Sequence, residues 1–340
     1  MLPMKISRRL VVSVLGTVLA LSLGNTARAA TPWLHVSGNW IQDTVGNNVT
    51  LRGVAVLPQN EAFYCHYCFD QQIPAVIDQA SDETNGWYSR AIRITVTKAD
   101  SISPADEFAN NIDPLVQECI RRGLYAIVDL HFISDYGASG KAIRQSTVMN
   151  FWNYVAPRYA NTPNVIFELF NEPINPSNWA TWKAYIQPVV TSIRTVAPNN
   201  LILVGSPNWS TMTNSAVSDP IAGTNIAYTY HIYPNQGTPT TALLDSKFGT
   251  AANTIPVILT EFGWQPGGGN VVNGTTSAWG IPMQTYLDAH PNISWSAFIF
   301  SDFWKPIMFD HNWNLLGGDF QGQTIKDWLS AKRDDHQPIQ

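Results

Sequence analysis

Eight short apolar runs, each beginning 25 to 40 residues after the one before, dominate the chain between Leu51 and Phe300. They occupy residues 51–56, 91–96, 125–130, 165–170, 201–204, 226–230, 257–260 and 295–300. Runs of this length without polar alternation read as strands buried on both faces, which is the mark of a parallel sheet. The stretches between them carry helical signals. Residues 105–122 follow Ser103-Pro104 and stop at Gly123, a good start and a good end for a helix. Residues 146–159, 179–196, 276–289 and 324–332 read the same way, and 73–80 more weakly. Strand–helix alternation demands right-handed crossovers, and eight strands close a barrel. The expected fold class is therefore α/β, a (β/α)8 barrel. An open doubly wound sheet is the competing architecture, but no Gly-rich nucleotide loop follows the first strand. Ahead of the barrel, Val45-Gly46-Asn47-Asn48 reads as the turn of a small β-hairpin that plugs its bottom.

The first thirty residues are set apart. Lys5, Arg8 and Arg9 precede the apolar stretch 10–23, and Ala27-Arg28-Ala29 is a small-x-small cleavage site. This reads as a signal peptide over 1–30, cut near Ala29 or Ala30, and as export of a single domain over 31–340. Ser7-Arg8-Arg9 is a poor twin-arginine match. No other stretch is long enough to span a bilayer. The leader carries four basic residues and no acidic ones, so its loss turns a net charge of −5 into −9. Such a balance argues against nucleic acid or an anionic membrane as partner. With 13 Trp, 12 Tyr and 14 Phe against 13% charged residues, the chain suits neutral ligands with apolar ring faces. Cys65 and Cys68 form a C-x-x-C with no second pair for zinc, which reads as a local disulfide or loop staple. Cys119 reads as a buried free thiol.

Two of the eight runs meet glutamate where they end. Ile166-Phe167-Glu168-Leu169-Phe170-Asn171-Glu172-Pro173 closes the fourth, and Val257-Ile258-Leu259-Thr260-Glu261-Phe262-Gly263 the seventh. The C-terminal ends of barrel strands build the active site. Two carboxylates delivered there are the minimum apparatus for cleaving a glycosidic bond. Solvated strand ends are the plain alternative, but other polar residues converge on the same face. Arg93 lies on the second strand, His131 follows the third, Asn171 the fourth, His231 and Tyr233 the sixth, and Trp304 the eighth. Trp209 and Trp264 follow the fifth and seventh strands, where an aromatic ring has two uses, stacking on a ligand's ring face or packing a loop; Asn208 sits beside Trp209. Phe63, Tyr64, Tyr67 and Tyr136 occupy early loops and have the same two uses, stacking or packing.

With these motifs in view, the chain resembles glycoside hydrolase family 5, the cellulase-like barrels with catalytic glutamates on strands four and seven. The likeness runs from Leu51-Arg52-Gly53-Val54 to Trp304. It implies that Glu172 is the acid/base and Glu261 the nucleophile, with Arg93, His131, Asn171, His231, Tyr233 and Trp304 in support. Trp295 is a rival for the place of Trp304. The chemistry agrees. A nearby Arg93 favours ionised Glu261, and the charge of Glu261 favours a proton on its neighbour. Asn171 is suited to the sugar 2-OH, and Tyr233 to an oxygen of the nucleophile, with His131 and His231 buttressing the site.

The resemblance implies a secreted retaining endo-β-1,4-glucanase acting on polysaccharide. An endo-β-1,4-mannanase or an exo-acting β-glucosidase of the same fold shares these residues, the latter if the loop 57–87 walls off one end of the cleft. A non-catalytic sugar-binding barrel would have no need of both glutamates. No G-x-S-x-G supports a serine esterase, and no H-E-x-x-H a metalloenzyme. No cofactor or metal is expected, and a monomer is. The sequons at Asn48, Asn208, Asn273 and Asn292 matter only in a glycosylating host.

Overall fold

The computed structural model describes residues 31–64, 72–136 and 143–339. The leader and the C-x-x-C of Cys65 and Cys68 lie outside the described residues, as does Tyr67. Eight parallel strands close into a barrel: β1 Arg52–Val56, β2 Ala91–Val96, β3 Tyr125–Leu130, β4 Val165–Glu168, β5 Ile202–Val204, β6 Ile226–Ile232, β7 Val257–Phe262 and β8 Ser294–Ala297. Each pairs with its sequence neighbours, and β8 returns to β1 through Trp295↔Arg52 and Ala297↔Val54. The barrel expectation is met, and the open sheet is excluded by that last pairing. Closure is tight at Gly53, where a Cβ would lie 1.7 Å from the Ala91 carbonyl oxygen on β2. Only glycine lets the two backbones approach so closely.

The helices depart from the regular pattern after β5 and β6. Trp179–Val196 is a full helix, whereas β5 is followed only by the short turns Pro207–Ser210 and Ser215–Ser218. Elsewhere π turns interrupt the helices, as at Phe108–Ile112 and Thr276–Gly280. Cys119 is a buried free thiol, as expected.

Two apolar groups explain why the barrel holds. Strand side chains facing outward, such as Ile92, Ile94, Val128 and Val204, join the helix faces in one large core. Those facing inward form a second, smaller group: Ala91, Tyr125, Ile127, Ile166, Leu203, Ala227 and Ile258. Leu34, Ile41 and Val49 of the N-terminal sheet belong to that inner group. Three short antiparallel strands, Leu34–Ser37, Trp40–Asp43 and Asn48–Val49, thus stopper the lower mouth of the barrel, and the turn expected at 45–48 joins the last two. The polar C-terminal tail is not loose. The Thr50 N–H donates to His336 O, the Ile339 N–H donates to Asp43 Oδ2, and the His336 ring stacks on Trp40 at 5.3 Å. Arg52 fastens it by donating to the Asp335 carbonyl and pairing with its carboxylate at 2.7 Å.

Candidate active site

At the upper mouth the inward-facing residues turn from apolar to charged. Arg93 on β2 is fully buried and donates to three strands at once. Its Nε lies 2.7 Å from Glu168 on β4, its Nη1 2.8 Å from Glu261 on β7, and its Nη2 2.9 Å from Asp129 on β3. The same Nη2 donates to Asn171 Oδ1 at 2.5 Å. Asp129 and Glu168 stand opposite each other across β3 and β4, a like-charge pairing that only a shared cation makes tolerable.

Glu261 is held from both sides. Arg93 occupies Oε1, and the Tyr233 hydroxyl donates to Oε2 at 2.8 Å. His231 comes alongside because β6 slips one residue against β7 after Tyr230, so that His231 faces Glu261 instead of Thr260. Bulges commonly re-aim a side chain in this way. His231 Nδ1 is then 2.8 Å from Glu172 Oε1 and 3.7 Å from Glu261 Oε2, while its Nε2 meets Thr260 Oγ1 at 2.9 Å. Ligand atoms of Glu172, His231 and Glu261 all lie within 4.8 Å of one another.

The electrostatics separate the two glutamates that share Arg93. Burial alone would raise the Glu261 carboxyl, but His231, Arg93, His131 and the Tyr233 hydroxyl outweigh it and hold it at about 2. Glu168 goes the other way. Burial and the charge of Asp129 raise it despite Arg93. Burial likewise opposes charge on His231, yet Glu261 and Glu172 lift it above its ordinary value. One cation does not serve the two glutamates equally, and Glu261, with the additional donors, keeps its charge.

His131 Nδ1 sits 2.6 Å from Asp129 Oδ2, and its ring clusters with those of Phe298 at 6.1 Å and Trp304 at 5.6 Å, which are themselves 6.1 Å apart. Above them opens a cleft of about 1420 Å³, lined by His131, Glu172, Trp209, Tyr233, Glu261 and Trp304 among others.

Most residues expected here from sequence are brought together: Glu172, Glu261, Arg93, His131, Asn171, His231, Tyr233, Trp304 and, at the rim, Trp209, which is 45% exposed. Trp264 is not. It is fully buried, donating to Thr276 Oγ1 and packed on Trp279, so it is core and not cleft. Its strand runs on to Phe262, and the side chain at 264 falls under the following loop rather than over the mouth. Tyr136 is likewise core, edge-on to Phe170 and Trp182. The side chains of Phe63 and Tyr64 lie outside the described residues. Trp295, the rival to Trp304, is buried against Trp328 and Phe262. The ring just past the end of β8 is Phe298, which sequence reasoning missed because β8 stops at Ala297 and not at residue 300. Glu61 was also missed; the Trp304 indole donates to it, and burial raises its carboxyl. Glu168 had a visible signal: an acid inside a fully buried strand requires a buried partner.

A closed eight-stranded barrel with buried carboxylates just past β4 and on β7, close together at its upper mouth, is the layout of a glycoside hydrolase. The model of the family described as cellulase (glycosyl hydrolase family 5) matches residues 43–303, and the chain belongs to that family. Endoglucanase Z of Dickeya dadantii is 34% identical over 207 residues, 59% of this chain and 47% of its own length. Endoglucanase E-5 of Thermobifida fusca is 28% identical over 316 residues, 88% of this chain and 63% of its own. The chain thus spans about half to under two thirds of these relatives. Among solved structures, the β-glucanase SdGluc5_26A of Saccharophagus degradans superimposes with a TM-score of 0.78 at 25% identity, over 90% of this chain and 95% of that one.

Proposed function

We propose that the protein is a retaining endo-β-1,4-glucanase, exported by way of residues 1–30, with Glu261 as nucleophile and Glu172 as acid/base. The observation that carries the reading is the spacing of the two carboxylates. One oxygen of Glu172 and one of Glu261 lie within 4.8 Å of each other. Retaining enzymes hold the pair about 5–5.5 Å apart, and inverting ones about 6.5–9.5 Å, to admit a water. Glu261 attacks the anomeric carbon as the glycosidic C–O bond breaks, and the Glu172 proton passes to the departing oxygen. Water then attacks the resulting ester while Glu172 takes the water's proton, freeing Glu261 and releasing the sugar with its anomeric configuration kept.

The surrounding residues fit these steps. Arg93 and Tyr233 hold Glu261 ionised and aimed. His231 bridges toward both glutamates and steadies Glu172 through its changes of charge. The Asn171 amide nitrogen is buried and has no partner, while its oxygen is pinned by Arg93. An unused buried donor beside the nucleophile suits the sugar 2-OH, whose hydrogen bond strengthens at the transition state. The cleft exceeds the roughly 300–1,000 Å³ of a small-ligand pocket, which favours a polymer chain bound along its length. The Saccharophagus degradans β-glucanase is known in complex with cellotetraose, and the curated relatives named above are endoglucanases. These support a β-1,4-glucan over a mannan.

The test is product analysis with carboxymethyl cellulose, glucomannan, galactomannan and laminarin, measuring reducing ends and anomeric configuration. Rapid loss of cellulose viscosity with β-configured products is expected. Inverted products would overturn the double displacement, and activity confined to galactomannan would overturn the substrate. Azide should restore turnover to Glu261→Ala as a glycosyl azide.

A further inference from the structure

The longest run of left-handed non-glycine backbone among the described residues lies at the cleft. Asn208, Trp209 and Ser210 all have left-handed φ, at 58°, 58° and 54°, forming one left-handed turn without a glycine. Asparagine tolerates this conformation; tryptophan and serine pay for it and hold it only where surrounding contacts over-determine it. Trp209 is exposed, so packing of its ring does not supply those contacts.

They come from the segment that carries Glu172. The fully buried Ser210 hydroxyl donates to the Asn171 carbonyl at 2.7 Å, and the Asn208 N–H donates to the Ile174 carbonyl at 3.2 Å. On its other edge the same segment is already fixed. The N–H groups of Asn171, Glu172 and Ile174 donate to the carbonyls of Leu130, Phe132 and Ser134 at 2.9–3.0 Å. The peptide joining Asn171 to Glu172 is therefore gripped from both sides, by the loop after β3 and by the strained turn. Space is closed as well, since a Cβ on Gly205 would lie 2.8 Å from both Ser210 Oγ and the Phe170 carbonyl oxygen.

We propose that Ser210 is a positioning residue for Glu172, holding the Asn171–Glu172 peptide, and with it the proton donor, from the side of the strained turn. The inference rests on the acid role of Glu172 given above. A residue that only braces the fold would affect all substrates alike. One that aims the acid matters only where the leaving group needs a proton.

The experiment compares kcat/KM for cellopentaose, whose leaving group requires protonation, with that for 2,4-dinitrophenyl β-cellobioside, whose leaving group does not. Ser210→Gly removes the hydroxyl and relaxes the left-handed backbone, so the variant is expected to fold; Ser210→Ala is the second variant, with unfolding temperature measured for both. Each should lose about 10-fold or more on cellopentaose, within the range of general acid catalysis, and less than about 3-fold on the activated glycoside. Equal losses on both substrates, or no loss on cellopentaose, would overturn the proposal. Glu172→Gln is run in parallel and should show the same selective pattern. If it loses both activities equally, the acid assignment itself fails, a result distinct from failure at Ser210.

Discussion

Each mouth of the barrel is organised around one arginine, and the two are handled in opposite ways. Arg93, at the upper mouth, is fully buried among Asp129, Glu168 and Glu261. Arg52, at the lower mouth, meets one carboxylate, that of Asp335, whose side chain is 35% exposed. Below, charge is scarce, water is close, and the remaining space is filled by apolar side chains of the hairpin. Above, acids outnumber cations and none can reach bulk water freely. The lower mouth spends its residues on closure. The upper one holds mutually repelling groups that are tolerable only together, which is how one glutamate is kept charged while another is pushed toward its neutral form.

The sharpest way to break the comparison is at the glutamates. Glu261→Gln should reduce kcat/KM on cello-oligosaccharides by on the order of 10⁴-fold or more, the scale at which a nucleophile is lost. Glu172→Gln should cost about 10²–10⁴-fold. Glu172→Gln should unfold near the wild-type temperature, whereas Glu261→Gln, which removes a carboxylate held ionised by Arg93 and His231, should unfold lower near neutral pH. A Glu261→Gln protein as stable as wild type near neutral pH would mean that the charge of Glu261 is not held by Arg93 and His231.

Arg93→Met comes next. It leaves three carboxylates facing one another in the dark of the barrel, and breaking a buried ionic group in this way costs about 3–5 kcal/mol. Denaturant unfolding near neutral pH should show it, with part of the loss regained in acid as the stranded carboxyls take up protons. Loss of only about 1 kcal/mol would place Arg93 in the same category as Arg52.

How much of this was readable beforehand follows the same division. Strand positions were legible because each had to be buried on both faces, so 91–96 and 125–130 coincide with β2 and β3. Glu172 and Glu261 were legible because an acid just beyond such a run has few other uses. The aromatics were not. Trp264 and Trp304 sit in similar places in the sequence, yet one is core and the other cleft, and loop geometry alone separates them. The one-residue slip that brings His231 to Glu261 leaves no trace in composition. Nor does the left-handed turn at 208–210, since nothing about Asn-Trp-Ser demands it locally; it is imposed by the tertiary contacts of Ser210 and Asn208.

A smaller effect sharpens the electrostatic half of the comparison. His231 is raised above its usual value of 6.5 in the folded state, so its contribution to stability is fully present below that pH and fades as the pH rises through the folded value. Glu261 is depressed from 4.5 to about 2, so its contribution is present above 4.5 and is lost as the pH falls toward 2. His231→Asn should therefore narrow its stability deficit relative to wild type as the pH climbs above 6.5. It should also move the acid limb of kcat/KM upward, because Glu261 loses a cation that holds it ionised. A limb that stays in place would mean that Arg93 and Tyr233 suffice.

The smallest effect belongs to the lower mouth. Asp335→Asn removes a partly exposed ion pair, and such pairs contribute about 0–1 kcal/mol. Arg52 keeps the Asp335 carbonyl as a partner at 2.9 Å, so the guanidinium is not stranded. Unfolding should shift by no more than that amount, shrinking further in high salt, and kcat/KM should match wild type on every substrate. If the substitution changed activity, the inner apolar group between the mouths would have to transmit the disturbance. Its members run from Leu34 and Ile41 up to Ile127 and Leu203 and fill the lumen with close-packed side chains. A packed interior carries strain efficiently, so silence at the active site after a change at Asp335 would show that this tail contact bears no strain to pass on.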